Sequence, residues 1–196
     1  MIETSKTIEF FKEISKIPRE SGNEKGISEY LCDFARKRNL FYICDKYNNV
    51  VIKKKIGDKR PLILQAHTDM VCEKEENLKF DFSKDSIQVI EKDGYLTANG
   101  TTLGADNGIG AAQILTILDS DLPCNIETVF TVSEETSMIG AINFDTGLLQ
   151  GKHMLNLDGF EENTIIIESA CFYDIILKSK FRFRKSNKKH AFRIVL

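Results

Sequence analysis

Apolar positions recur every three to four residues early in the chain and run almost unbroken later on. Ile8, Phe11, Ile14 and Ile17 form a stripe at i, i+3, i+6 and i+9 behind Thr4 or Ser5, which can cap a helix that Pro18 ends. A second helix is predicted from about Asn23. It puts Ile27, Leu31 and Phe34 on one face, with Lys37 and Arg38 in its last turn, where cations suit the helix dipole. Short strands are predicted at residues 41–44 and 50–54, joined by a turn at 45–49. Three apolar runs, at 62–66, 126–132 and 154–157, read as strands buried on both faces of a mainly parallel sheet. A hairpin is expected between the first two of these, with 87–90 and 95–97 joined across Asp93-Gly94, followed by a helix from about Asn107 to Leu118. Strands alternating with helices argue for an α/β fold with a mostly parallel sheet.

The last thirty residues change character. Residues 165–167, 172–177 and 192–196 read as strands around a basic turn at 182–189, and the chain stops inside an apolar run, so a truncated domain is expected. Charge narrows the function classes. With 27 Lys and Arg against 29 Asp and Glu, the net charge of −2 gives no reason to expect a nucleic-acid or anionic-membrane surface. No apolar stretch approaches the roughly 20 residues of a membrane helix, and residues 1–20 do not read as a secretory signal. Five scattered cysteines, none spaced C-x-x-C, point to reduced thiols and a cytoplasmic location.

Each of the three apolar runs leads straight into acidic or imidazole side chains. The first ends in His67-Thr68-Asp69, the second in Glu134-Glu135 and the third in Asp158. In an open parallel sheet, functional groups gather beyond the carboxyl ends of the strands. Asp106 sits in a glycine-rich loop opening a helix and can reach the same edge. One imidazole among several carboxylates makes a site for a borderline metal such as zinc, cobalt or manganese. His67 would be a ligand, and Asp69 is placed to hold its other ring nitrogen. Asp106 can bridge two ions. Of Glu134 and Glu135, one can ligate while the other stays free as a base. The glycine-rich loop lacks the lysine of a phosphate-binding loop. Cys72 has no second histidine in a motif to activate it, so it reads as a small buried residue rather than a nucleophile.

Four stretches carry a family resemblance: LQAHTDMVCEK (64–74), TTLGADNGIGAA (101–112), TVSEETSMIGA (131–141) and LNLDGFEE (155–162). In content, order and spacing they resemble the aminoacyl-histidine (Xaa-His) dipeptidases of the M20 di-zinc metallopeptidases. The resemblance implies a three-layer α/β sandwich over residues 1–168 and the opening strands of a lid domain, used for dimerisation, over 169–196. It implies that His67 and Asp158 ligate one Zn2+, that Asp106 bridges two, and that Glu135 ligates the second. It makes Glu134 the general base and Asp69 the residue that orients His67. It also implies a cis peptide between Asp106 and Asn107, a dipeptide substrate that carries C-terminal histidine, and a homodimeric parent.

Family members are more than twice as long, and a histidine from beyond this length completes their second zinc site. His153 lies some 16 Å from Asp158 along an extended strand, too far to share a metal, and His190 follows a basic turn. The isolated chain is therefore expected to have little activity. The alternatives are a zinc aminopeptidase of the related M28 type, which shares the ligand order but not the Cys-Glu-Lys and Asn-Gly-Ile-Gly contexts, and a non-catalytic metal-binding or interaction fragment.

Overall fold

The structure, a computed structural model, describes residues 4–159 and 164–167. The chain divides into two units, Met1–Asn163 and Thr164–Leu196. The described residues that form the site lie in the first.

Helix α1 (Thr4–Ile14) buries Thr7, Phe10, Phe11 and Ile14. The buried stripe is therefore centred between Phe10 and Phe11, and Ile8 lies at its margin. The helix stops at Ile14, ahead of Pro18, where Ser15 turns its hydroxyl back onto the Phe11 carbonyl and the next amides bond three residues back. Helix α2 (Lys25–Lys37) buries the expected Ile27, Leu31 and Phe34. Strands β1 (Phe41–Cys44) and β2 (Val50–Lys54) follow, and the Asp45 side chain closes the turn between them by accepting from the Tyr47 and Asn49 amides. Next come β3 (Leu62–His67) and the hairpin β4 (Val89–Lys92) and β5 (Tyr95–Ala98). Asp93 and Gly94 both have positive φ, as a two-residue hairpin turn requires. Helix α3 (Ala105–Asp119), β6 (Ile126–Thr131), the short α4 (Ile139–Ile142), a 3-10 turn (Thr146–Leu148) and β7 (His153–Asn156) complete the unit.

The sheet order is β1-β2-β6-β3-β7. β3 pairs in parallel with β6 and β7, while β2 is antiparallel to both β1 and β6, so four of the five strands point one way. One face carries Val50, Ile52, Leu64, Ala66, Ile126 and Phe130 into the core formed with α1, α2 and α3. Small residues in α3 let α1 approach closely; a Cβ on Gly108 would come within 2.9 Å of the Phe11 ring. Residues 139–151 lie over part of the other face, where the Gln150 and Gly151 amides donate to Glu127 and a Cβ on Gly151 would meet Ile63.

Two expectations need correction. β3 and β6 are buried on both faces, but every residue of β7 is exposed, Met154 at 57% and Leu155 at 48%. The cause is position: among the described residues β7 pairs on one side only, with β3. Residues 165–167, a run of three isoleucines, are not a strand and pair with no strand among the described residues. The strands expected at 172–177 and 192–196 lie outside the described residues.

Candidate metal centre

Strand register brings the predicted residues together. His67 is level with Thr131 in β6, and Gln65 is level with Asn156 in β7. Two residues on from that last pair, His67 and Asp158 stand side by side at the carboxyl edge. His67 is buried, with Nδ1 turned to Asp69 (3.1 Å to the main-chain oxygen, 3.3 Å to Oδ1). Its Nε2 faces the other acids, 2.9 Å from Asp106 Oδ1, 3.7 Å from Asp158 Oδ2 and 3.9 Å from Glu134 Oε2. Ligand atoms of His67, Asp106 and Glu135 lie within 4.8 Å of one another, and so do those of His67, Glu134 and Asp158. All six predicted side chains therefore meet at one place. His153, which opens β7 opposite Leu62, stands at the far edge of the sheet.

The electrostatics are those of crowded negative charge. Burial alone would lower the His67 imidazole, yet the Asp69 and Asp106 carboxylates outweigh it and hold the ring up at about 9. Burial would raise Asp69, but hydrogen bonds from His67, Ser21 and the Glu134 and Glu135 amides bring it down to about 2. Glu134, Glu135 and Asp158 are raised, first by burial and then by Asp106, with Asp69 adding at both glutamates, Asp158 at Glu134 and Glu134 at Glu135, against the pull of the His67 ring. Oxygen donors whose repulsion a cation would relieve, beside a ring nitrogen already oriented by its other side, fit a dication of the zinc, cobalt or manganese kind. Cys72 does not join them. Burial and the Glu20 charge push its thiol up to about 11, which suits an unreactive role.

The Asp106 loop is set by a residue that the hydrophobic pattern did not single out. Arg19, only 2% exposed, donates to the Thr68 and Asp69 carbonyls and to that of Gly104. Burial brings its guanidinium down to about 10, against the pull of Asp69, Cys72 and Asp106. Gly104 has φ +69, and a Cβ there would lie 2.4 Å from the Arg19 Nη2; one on Gly108 would lie 2.8 Å from it. The loop glycines thus make room for a protein guanidinium rather than a phosphate. Next to them, the Asp106-Asn107 peptide is cis. Ser21 and Glu24, also missed, bond Asp69 and Ser133. Their only signal is a run of polar residues after Pro18, which reads as an ordinary solvated loop.

Comparison with known proteins places this geometry. The peptidase family M20/M25/M40 matches residues 63–176, more than half of the chain. The chain belongs to that family. The M28-type alternative is not favoured. The cytosol non-specific dipeptidase of Escherichia coli (strain K12) is 34% identical over 168 residues, 83% of this chain and 35% of that protein. The crystal structure of aminoacylhistidine dipeptidase from Vibrio alginolyticus superposes with a TM-score of 0.77 at 37% identity, covering 83% of this chain and 35% of that one. A tripeptidase from Staphylococcus aureus gives 0.69 at 28% identity, covering 81% and 44%. The M20 chain thus spans about a third of the length of its two dipeptidase relatives.

Proposed function

We propose that this chain supplies the metal-binding edge of a dipeptidase that hydrolyses Xaa-His dipeptides. The observation that carries the reading is the convergence of Asp106, Glu134 and Asp158 on His67 Nε2, with Glu135 in the same ring of donors. His67 and Asp158 would hold one Zn2+, Glu135 the second, and Asp106 both. Bound dications supply Lewis acidity, which polarises a carbonyl and makes water easier to deprotonate. The chain's own residues do the rest. Asp69 holds Nδ1 and so keeps Nε2 pointed at the site. Glu134, whose carboxylate lies 3.9 Å from His67 Nε2, would take the proton of the attacking water and deliver it to the leaving amine. His67, Asp106, Glu135 and Asp158 keep the reacting groups at one edge of the sheet.

Substrate class and cytosolic location rest on the names of the two dipeptidase relatives and on the resemblance described above. Residues 1–168 are proposed as catalytic-domain sequence and 169–196 as the start of a lid domain through which a homodimer forms. Because the chain spans about a third of those relatives, metal binding and turnover are tested separately. Zinc titrated calorimetrically into the chain is expected to bind, and His67→Ala to abolish binding. Glycyl-histidine or β-alanyl-histidine hydrolysis is then compared with a Glu134→Ala control, with little turnover expected from the 196 residues alone. A chain that takes up no zinc overturns the metal reading. Turnover that survives Glu134→Ala removes Glu134 as the base.

A further inference from the structure

The connection between α1 and α2 reaches three of the four segments that carry the proposed ligands. Arg19 donates to the carbonyls of Thr68, Asp69 and Gly104. Glu20 bridges Met70, and the Ser21 hydroxyl donates to Asp69 Oδ2 at 2.7 Å. Glu24 Oε1 accepts from both the amide and the hydroxyl of Ser133, each at 2.8 Å. Glu24 occupies the N-cap position of α2 but makes no cap bond; its buried carboxylate goes to Ser133 instead.

The Ser133 end is where this matters. Four successive amides leave β6, and each donates to a side-chain oxygen: Val132 to Asn49 Oδ1, Ser133 to Glu24 Oε1, Glu134 to Asp69 Oδ1 and Glu135 to Asp69 Oδ2. Buried amides need partners, and here no neighbouring strand supplies them. Ser133 has φ 54, a backbone state that a residue with a side chain seldom adopts unless its surroundings hold it there. The two carboxylates that follow take their direction from that turn.

We propose that Glu24 is a positioning residue for Glu134 and Glu135, the outermost contact of a brace formed by residues 19–24. The proposal rests on the reading that those two glutamates serve a metal site. Without Glu24, Ser133 loses two bonds to one oxygen, the turn relaxes, and the carboxylates lose their registration with His67. Glutamine keeps an acceptor oxygen at the same place and preserves both bonds.

The test uses the full 196-residue chain as wild type, Glu24→Ala and Glu24→Gln, with two readouts. Amide hydrogen exchange without metal reports the turn. Visible absorption during Co2+ titration reports the ligand field. In Glu24→Ala, exchange at Ser133, Glu134 and Glu135 is expected to quicken at least tenfold, and Co2+ to bind about tenfold more weakly with an altered spectrum. Glu24→Gln is expected to restore both. If Glu24→Ala does not fold, Ser133→Ala removes one of the two bonds and is expected to shift both readouts the same way by about threefold. Unchanged exchange or an unchanged Co2+ titration in the alanine variants overturns the proposal. No Co2+ uptake by the wild type overturns the metal reading, while exchange alone still decides for or against the Glu24 clamp.

Discussion

Strand β6 carries a buried acid near its amino end and runs into two acids beyond its carboxyl end, and the two ends treat charge in opposite ways. Glu127, 2% exposed, lies 2.8 Å from Lys53 Nζ and accepts from the Gln150 and Gly151 amides at 2.7 and 2.9 Å. Burial would raise it, but those partners outweigh burial and lower it. Glu134 and Glu135 stand beside Asp69 and Asp106, which add to burial and raise both, and Asp158 adds at Glu134. The first end is an acid neutralised by the protein and serves stability. The second is a surplus of acid, held in place by bonds to its backbone rather than to its carboxylates, and suits a bound cation.

The largest effect is expected where the neutralised acid is removed. Glu127→Ala leaves Lys53 without its counter-charge and two partly buried amides without an acceptor, and should destabilise the chain by about 3 kcal/mol. Glu134→Ala should cost a small fraction of that in chelator. Denaturant melts of the two variants make the comparison, and equal losses would erase the distinction between the ends.

Metal should then act on one end alone. At free zinc 100-fold above its dissociation constant, binding to the folded chain adds about 2.7 kcal/mol. Thermal melts with zinc and with chelator should show this gain in the wild type and in Glu127→Gln. It should vanish in His67→Ala. A gain that survives His67→Ala would place the ion elsewhere.

Much of this was legible in the sequence. β3 and β6 end within one residue of where apolar runs predicted them, because a strand buried on both faces needs such a run. That the six predicted side chains would meet was legible for a related reason, since each ends or follows a strand or opens a helix where a parallel sheet collects its chemistry. What stayed hidden was burial that no pattern encodes. Arg19, Ser21 and Glu24 look like a solvated loop until three segments that carry proposed ligands are folded around them. β7 misled in the other direction, because its composition promised a central strand and only pairing shows it at an edge among the described residues.

Smaller changes should differ in sign. In chelator, Glu134→Gln removes one member of a repelling set and should stabilise the metal-free chain by about 0.5 kcal/mol, as expected for a partly solvated charge. Glu127→Gln weakens a charge-assisted set of bonds and should destabilise by about 1 kcal/mol. Loss of stability in both variants would mean that the acids beyond β6 are as well satisfied as the one inside it.

The finest test is the slope of stability against pH between about 6 and 4 in chelator. Glu127 is lowered in the folded state, so its contribution is present above its ordinary 4.5 and is lost as pH falls through the lower folded value. Glu134, Glu135 and Asp158 are raised, so the folded state is penalised at high pH, and the penalty is relieved as pH falls through their folded values. The two ends therefore oppose each other during acidification. His67 stays out of the window, because a ring held up at about 9 contributes fully below its ordinary 6.5 and loses that share only as pH rises through 9. Asp69, brought down to about 2, keeps its share until pH drops below its ordinary 3.8. Glu127→Gln should make the acid limb shallower and Glu134→Gln should make it steeper, each by a few tenths of a kcal/mol across the window. Acids elsewhere in the chain cancel when the variants are compared with wild type. If both substitutions change the slope in the same direction, the acids at the two ends of β6 titrate alike, and the surplus at the carboxyl edge is not a charge waiting for a cation.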